Sequence, residues 1–145
     1  MIIAFCGLSD FIKTDALEEK MMSVLREKIG DSPAELFLGG YGAFDSFALF
    51  CGRKYKKKHP DVKLVLITPY IDRVTDGAGY DETVYPPIEN VPYRFAICER
   101  NKWMVERADL VVAYVNHSHG GAFTTFRHAQ KKNKRIINIA DDISE

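Results

Sequence analysis

Two glycine-rich segments, Gly39-Gly40-Tyr41-Gly42 and Gly120-Gly121-Ala122-Phe123-Thr124-Thr125, each follow a short apolar run and precede an amphipathic stretch. A glycine turn feeding a helix start leaves backbone N–H groups unobstructed and aimed at an anion, so each is a candidate phosphate site. Gly7 and Ser9 occupy a third turn of the same kind, directly after Ile2 to Cys6. Asp45 falls just past the first segment, where it is either a dipole-favoured acid near a helix start or an acceptor for ligand hydroxyls. Thr124 and Thr125 would add hydroxyl donors to the second site, with simple N-capping as the alternative. Arg100 shares a helical face with Ile97 and Met104, so a guanidinium interrupts an apolar stripe. Such a cation needs a partner, either a protein carboxylate such as Asp45 or an anionic ligand held bidentately. Asn101 beside it could bond a loop backbone or a base. His117 and His119 could share a metal, but no third ligand follows from the spacing, and no metal is assigned. No cofactor is assigned either, because the glycine spacings match neither G-x-G-x-x-G nor G-x-x-x-x-G-K-[ST].

The elements that must position these residues alternate regularly. Ile2 to Cys6 has the length and apolarity of a strand, and Asp15 to Ile29 carries Leu17, Met21, Val24, Leu25 and Ile29 at helical spacing, with Asp15-x-x-Glu18 at its start and Gly30 at its end. Glu35 to Leu38 predicts a second strand, followed by a helical stripe of Phe44, Phe47, Ala48, Cys51 and Tyr55. Strands are further expected at Val62 to Ile67, Asp109 to Val115 and Arg135 to Ile139, with helices over Arg94 to Arg107 and Phe123 to Lys132. This predicts an α/β, Rossmann-like three-layer domain over residues 1–145, with a five-stranded parallel sheet covered on both faces. Ligands of such sheets bind beyond the strand carboxyl ends, where all three glycine turns would converge. The long segment from Thr68 to Pro92 leaves the same edge and reads as a partial lid or a surface insert.

The chain has 145 residues, 46% hydrophobic and 28% charged, enough for a full core. Its 20 basic and 20 acidic residues balance, which argues against nucleic acid as a partner, and the run from Lys54 to Lys58 reads first as a solvated helix end. No segment approaches the roughly 18 apolar residues of a membrane span, and the start lacks a basic leader, so a cytoplasmic chain without a membrane partner is expected. Cys6, Cys51 and Cys98 lie in or beside apolar runs and are expected to be buried thiols.

Read in order, Phe5-Cys6-Gly7-Leu8-Ser9, Gly39 to Asp45, Glu99 to Asp109 and Gly120 to Thr125 resemble the blocks of the SLOG superfamily, which contains the LOG cytokinin-activating proteins and the DNA-processing protein A family. The third block is similar to the LOG stretch E-R-K-x-x-M-x-x-x-A-D, and the fourth to P-G-G-x-G-T-x-x-E. Similarity extends to a bacterial single-domain branch with R-N-x-W-M-V before a strand and G-G-x-x-x-T after it. The resemblance implies a nucleotide-derived ligand across the two glycine turns, bound by a sensor or carrier. It also implies, as the alternative, LOG-like cleavage of a nucleoside 5′-monophosphate with Arg100 in the catalytic position. Arg127 stands where the LOG motif has its glutamate, and a second arginine opposes the oxocarbenium charge that a carboxylate would stabilise. If Arg100 and Arg127 both face the cleft with the start of the Thr124 helix, the site is strongly cationic, suited to a ligand with more than one negative charge. LOG relatives pair through helices near the nucleotide, and Trp103, off the Arg100 stripe, is the expected contact of a homodimer or larger assembly.

Overall fold

The computed structural model describes residues 1–71 and 79–141. Its strands are β1 (Ile2–Gly7), β2 (Ala34–Leu38), β3 (Val62–Ile67), β4 (Glu82–Val84), β5 (Leu110–Tyr114) and β6 (Arg135–Asn138). The helices are α1 (Asp15–Ile29), α2 (Ala43–Lys56), α3 (Ala96–Arg107) and α4 (Gly120–Lys131). All strands pair in parallel, in the order β4-β3-β2-β1-β5-β6. The sheet therefore has six strands rather than the expected five. The addition, β4, comes from the segment read as a lid or insert: Val65 pairs with Glu82 and Ile67 with Val84, and Thr68 N–H donates to Val84 O at 2.9 Å. None of the described residues of 68–92 lines the cleft treated below; residues 72–78 lie outside the described part.

Alternation along each central strand divides two cores. Ile3, Phe5, Leu36, Leu38, Leu110 and Val112 face α1 and α2, whereas Ala4, Cys6, Phe37, Val111 and Ala113 face α3 and α4. Register matches large with large, Ile3 opposite Leu110 and Phe5 opposite Val112. Helix α1 is capped by Thr14, whose Oγ1 accepts from Leu17 N–H at 3.1 Å, one residue before the Asp15 start signal. Trp103 is half-buried, stacked on Phe37 (6.1 Å, 8°) with the Arg107 guanidinium 4.2 Å over its ring. The residue expected to mark an assembly contact thus packs in part against β2 of its own chain. Cys6 and Cys51 are buried as expected, but Cys98 is exposed, because it sits on the outer side of the first turn of α3. Among the described residues no helix is long and apolar enough to cross a membrane.

Candidate functional site

Strand order reverses between β1 and β5, and a crevice opens there beyond their carboxyl ends, as the geometry of open α/β sheets requires. It is a cleft of about 460 Å³, within the range of small-molecule sites. Gly7, Ser9, Gly39, Asp45, Arg100, Asn101, Gly120, Gly121 and Thr125 all line it. Gly40, Gly42 and Thr124 do not. The would-be Cβ of Gly40 meets Leu66 and Tyr80, and Gly42 closes on Ser9, while Thr124 is exposed on α4 with its Oγ1 donating to Gly120 O at 3.0 Å. Residues that the sequence did not single out complete the wall, among them Asp10, Tyr41 and Ile97. Tyr41 is 71% and Ile97 39% exposed; the signals available in the sequence were the place of Tyr41 inside the Gly39 to Gly42 segment and of Ile97 on the Arg100 face.

The two glycine turns are not equivalent. Gly42, at φ +89°, caps α2 without a side chain, and the N–H groups behind it are already taken: Ala43 donates to Ser9 O at 2.9 Å and Phe44 to Leu8 O at 3.3 Å. Tyr41 N–H donates to Asp45 Oδ2 at 3.1 Å. The β1 loop therefore occupies the anion position of α2. At α4 the helix begins at Gly120 itself, earlier than the expected Phe123, with Gly120 at φ +88°. No side chain caps it, and no described residue outside the helix accepts from its first-turn N–H groups. A Cβ on Gly120 or Gly121 would meet nothing within 4 Å. The loop leading there is pinned by Asn138, whose Oδ1 accepts from Val115 N–H at 3.2 Å and whose Nδ2 donates to Val115 O at 2.8 Å. His117 and His119 stack on each other beside it, 4.2 Å apart. Thr125 Oγ1 donates to Gly121 O at 3.0 Å, so the hydroxyls of Thr124 and Thr125 bond back along the helix instead of pointing their protons at an anion.

Arg100 is only 3% exposed. Its Nη1 donates to Gly39 O at 2.8 Å and Ile67 O at 2.7 Å, tying together the carboxyl ends of β2 and β3, and its Nε donates to Asn101 Oδ1 at 2.8 Å. Its Nη2 has no hydrogen bond among the described residues. Burial lowers the Arg100 pKa, against the opposing pull of the Asp45 charge. Asp45 is half-buried, and desolvation pushes its carboxyl up to about 6 despite the Tyr41 N–H and Arg100. The Cys6 thiol in the cleft floor is pushed up to about 12 by burial and then by Asp45, and so carries no thiolate chemistry. Arg127 does not reach the cleft: it is exposed on the outer face of α4, with Nη1 donating to Gln130 Oε1 at 2.7 Å. The lining combines Asp10, Asp45 and Arg100, so the expected strongly cationic site is replaced by one of mixed charge.

These features define a cleft at the strand-order reversal of a parallel α/β, Rossmann-like fold. The fold is that of DNA processing protein A: the Helicobacter pylori protein aligns with a TM-score of 0.59 at 17% identity over 94% of this chain and 63% of its own. The Streptococcus pneumoniae protein aligns with a TM-score of 0.64 at 14% identity over 92% of this chain and 48% of its own. This chain thus spans less than two thirds of the length of either. An uncharacterized SPbeta prophage-derived protein of Bacillus subtilis (strain 168), YoqJ, is 24% identical over 138 residues, covering 79% of this chain and 81% of the relative. No family model matches the chain. The argument from balanced charge against nucleic acid is overturned by these relations, because the H. pylori protein of the same fold has a described single-stranded DNA binding mode. Net charge failed as a guide because a local site, not the global field, decides such contacts.

Proposed function

We propose that the cleft binds a phosphorylated nucleotide or nucleotide-derived ligand, as a sensor or carrier, with a phosphate on the N–H groups of Gly121 and Ala122. The open start of α4 carries this reading: it supplies unpartnered donors, the positive end of a helix dipole, and empty space in front of two glycines. Tyr41 and Ile97 offer apolar surface to a base at the cleft mouth. The test titrates the protein with ribonucleoside 5′-monophosphates and with a single-stranded oligonucleotide, at low and high salt. Saturable binding that weakens with salt and is lost in Gly121→Asp is expected, because the new carboxylate would occupy the same donors. Gly121 has ample room and an unexceptional φ, so this variant folds, and unchanged affinity in it would refute the reading.

A second reading, LOG-like N-glycosidic cleavage, is favoured by one observation. Asp45 brings to the cleft the carboxylate that Arg127 does not replace. Release of free base in the same incubations, absent in Arg100→Ala, would establish it.

A further inference from the structure

Gly39 is a glycine for want of room, not for its backbone, since its φ is not among the positive values of this chain. A Cβ there would lie 3.0 Å from Arg100 Cζ, 3.1 Å from Arg100 Nη2 and 3.1 Å from Asp45 Oδ2. A donor with no other hydrogen bond and a carboxylate oxygen therefore border one small volume, which the absent side chain leaves open to the cleft. The two groups form no ion pair among the described residues, although each feels the other's charge. Asp45 is also held in place, by Tyr41 N–H on Oδ2, and Arg100 by three bonds through Nη1 and Nε. A fixed donor and a fixed acceptor beside one gap suit a group that can accept from one and donate to the other, which is what a hydroxyl does.

We propose that this gap is a sugar-hydroxyl subsite, in which a ribose hydroxyl accepts from Arg100 Nη2 and donates to Asp45, so that the cleft selects nucleotides by their ring hydroxyls. This rests on the nucleotide reading above and adds a selectivity to it. Both partners are held before the ligand arrives, so little ordering cost offsets the two charge-assisted bonds. A ligand lacking the hydroxyl would leave Arg100 Nη2 without an acceptor and Asp45 with only its Tyr41 N–H bond, in a partly desolvated site.

The experiment compares the four ribonucleoside 5′-monophosphates with their 2′,3′-dideoxy counterparts by titration calorimetry, with the 2′-deoxy and 3′-deoxy forms assigning which hydroxyl is read. The ribonucleotide is expected to bind at least about tenfold tighter than its dideoxy form. Gly39→Ala, which puts a methyl group into the gap, and Asp45→Ala, which removes the acceptor, should both bring that ratio close to one, whatever they do to the affinity for either form. Circular dichroism and a thermal melt show that each variant folds, and an unchanged ratio in both folded variants would overturn the subsite. Equal affinity of the two forms for the wild type would overturn the subsite and leave the nucleotide reading standing. Binding of none of the monophosphates would overturn both.

Discussion

Arg100 and Asp45 converge on the same small volume beside Gly39 without closing into an ion pair. The carboxylate therefore remains under-compensated, and its folded pKa is raised from 3.8 to about 6. Between those values the folded chain holds a proton that the unfolded chain has released, so stability falls as pH rises through the window and the penalty is complete above it. Arg100, Tyr80 and Cys6 are the titratable groups that feel this charge. Asp45→Asn is expected to stabilise the protein at pH 7.5 by on the order of 1 kcal/mol, a value discounted for partial exposure. The gain should vanish near pH 4. Thermal melts of both proteins across that range measure it.

Arg100 also supports the sheet edge. Substituting Arg100→Met orphans Gly39 O and Ile67 O, which share its Nη1, and should cost about 2–4 kcal/mol of stability. Arg100→Lys cannot reproduce the fork and should cost a substantial part of this. Urea denaturation gives both values.

Gly7 serves packing as much as the cleft. A Cβ there would sit 2.3 Å from the Phe44 ring, a fully buried side chain. Gly7→Ala should destabilise by about 1–3 kcal/mol through overpacking, and Gly7→Ala with Phe44→Leu should recover part of that loss in the same denaturation series.

Thiol chemistry separates the cysteines. Burial, with smaller charge contributions, pushes Cys6 and Cys51 up to about 12, whereas Cys98 is exposed. Native protein should react with one equivalent of a thiol reagent, and Cys98→Ser should remove it. Rapid modification of a second cysteine under native conditions would contradict the burial described.

Most of the sheet could be read from the sequence because its central strands are buried on both faces and appear as mainly apolar runs, Val62 to Ile67 matching the observed strand with Lys63 as its exposed position. Strand β4 escaped because Glu82-Thr83-Val84 is short, at an edge and largely exposed, so no apolar run announces it. Helix α4 began early because its first two residues are glycines, which read as turn although glycine fits the positive φ at position 120. Arg100 was visible as a charge in an apolar stripe, but its partners were not, since main-chain carbonyls carry no residue signal. The same blindness concealed the occupied start of α2, which Ser9 and Leu8 carbonyls fill by tertiary contact. Arg127 was matched by motif position to a cleft glutamate, and the helix presents it on the outer face instead.

Amide chemical shifts test the central claim most directly. On titrating the labelled protein with a ribonucleoside 5′-monophosphate, the N–H signals of Gly121 and Ala122 should move saturably. Those of Ala43 and Phe44, already bonded to Ser9 O and Leu8 O, should move little. Perturbation confined to the Lys54 to Lys58 end of α2, or none at all at saturating nucleotide, would contradict a phosphate at the start of α4.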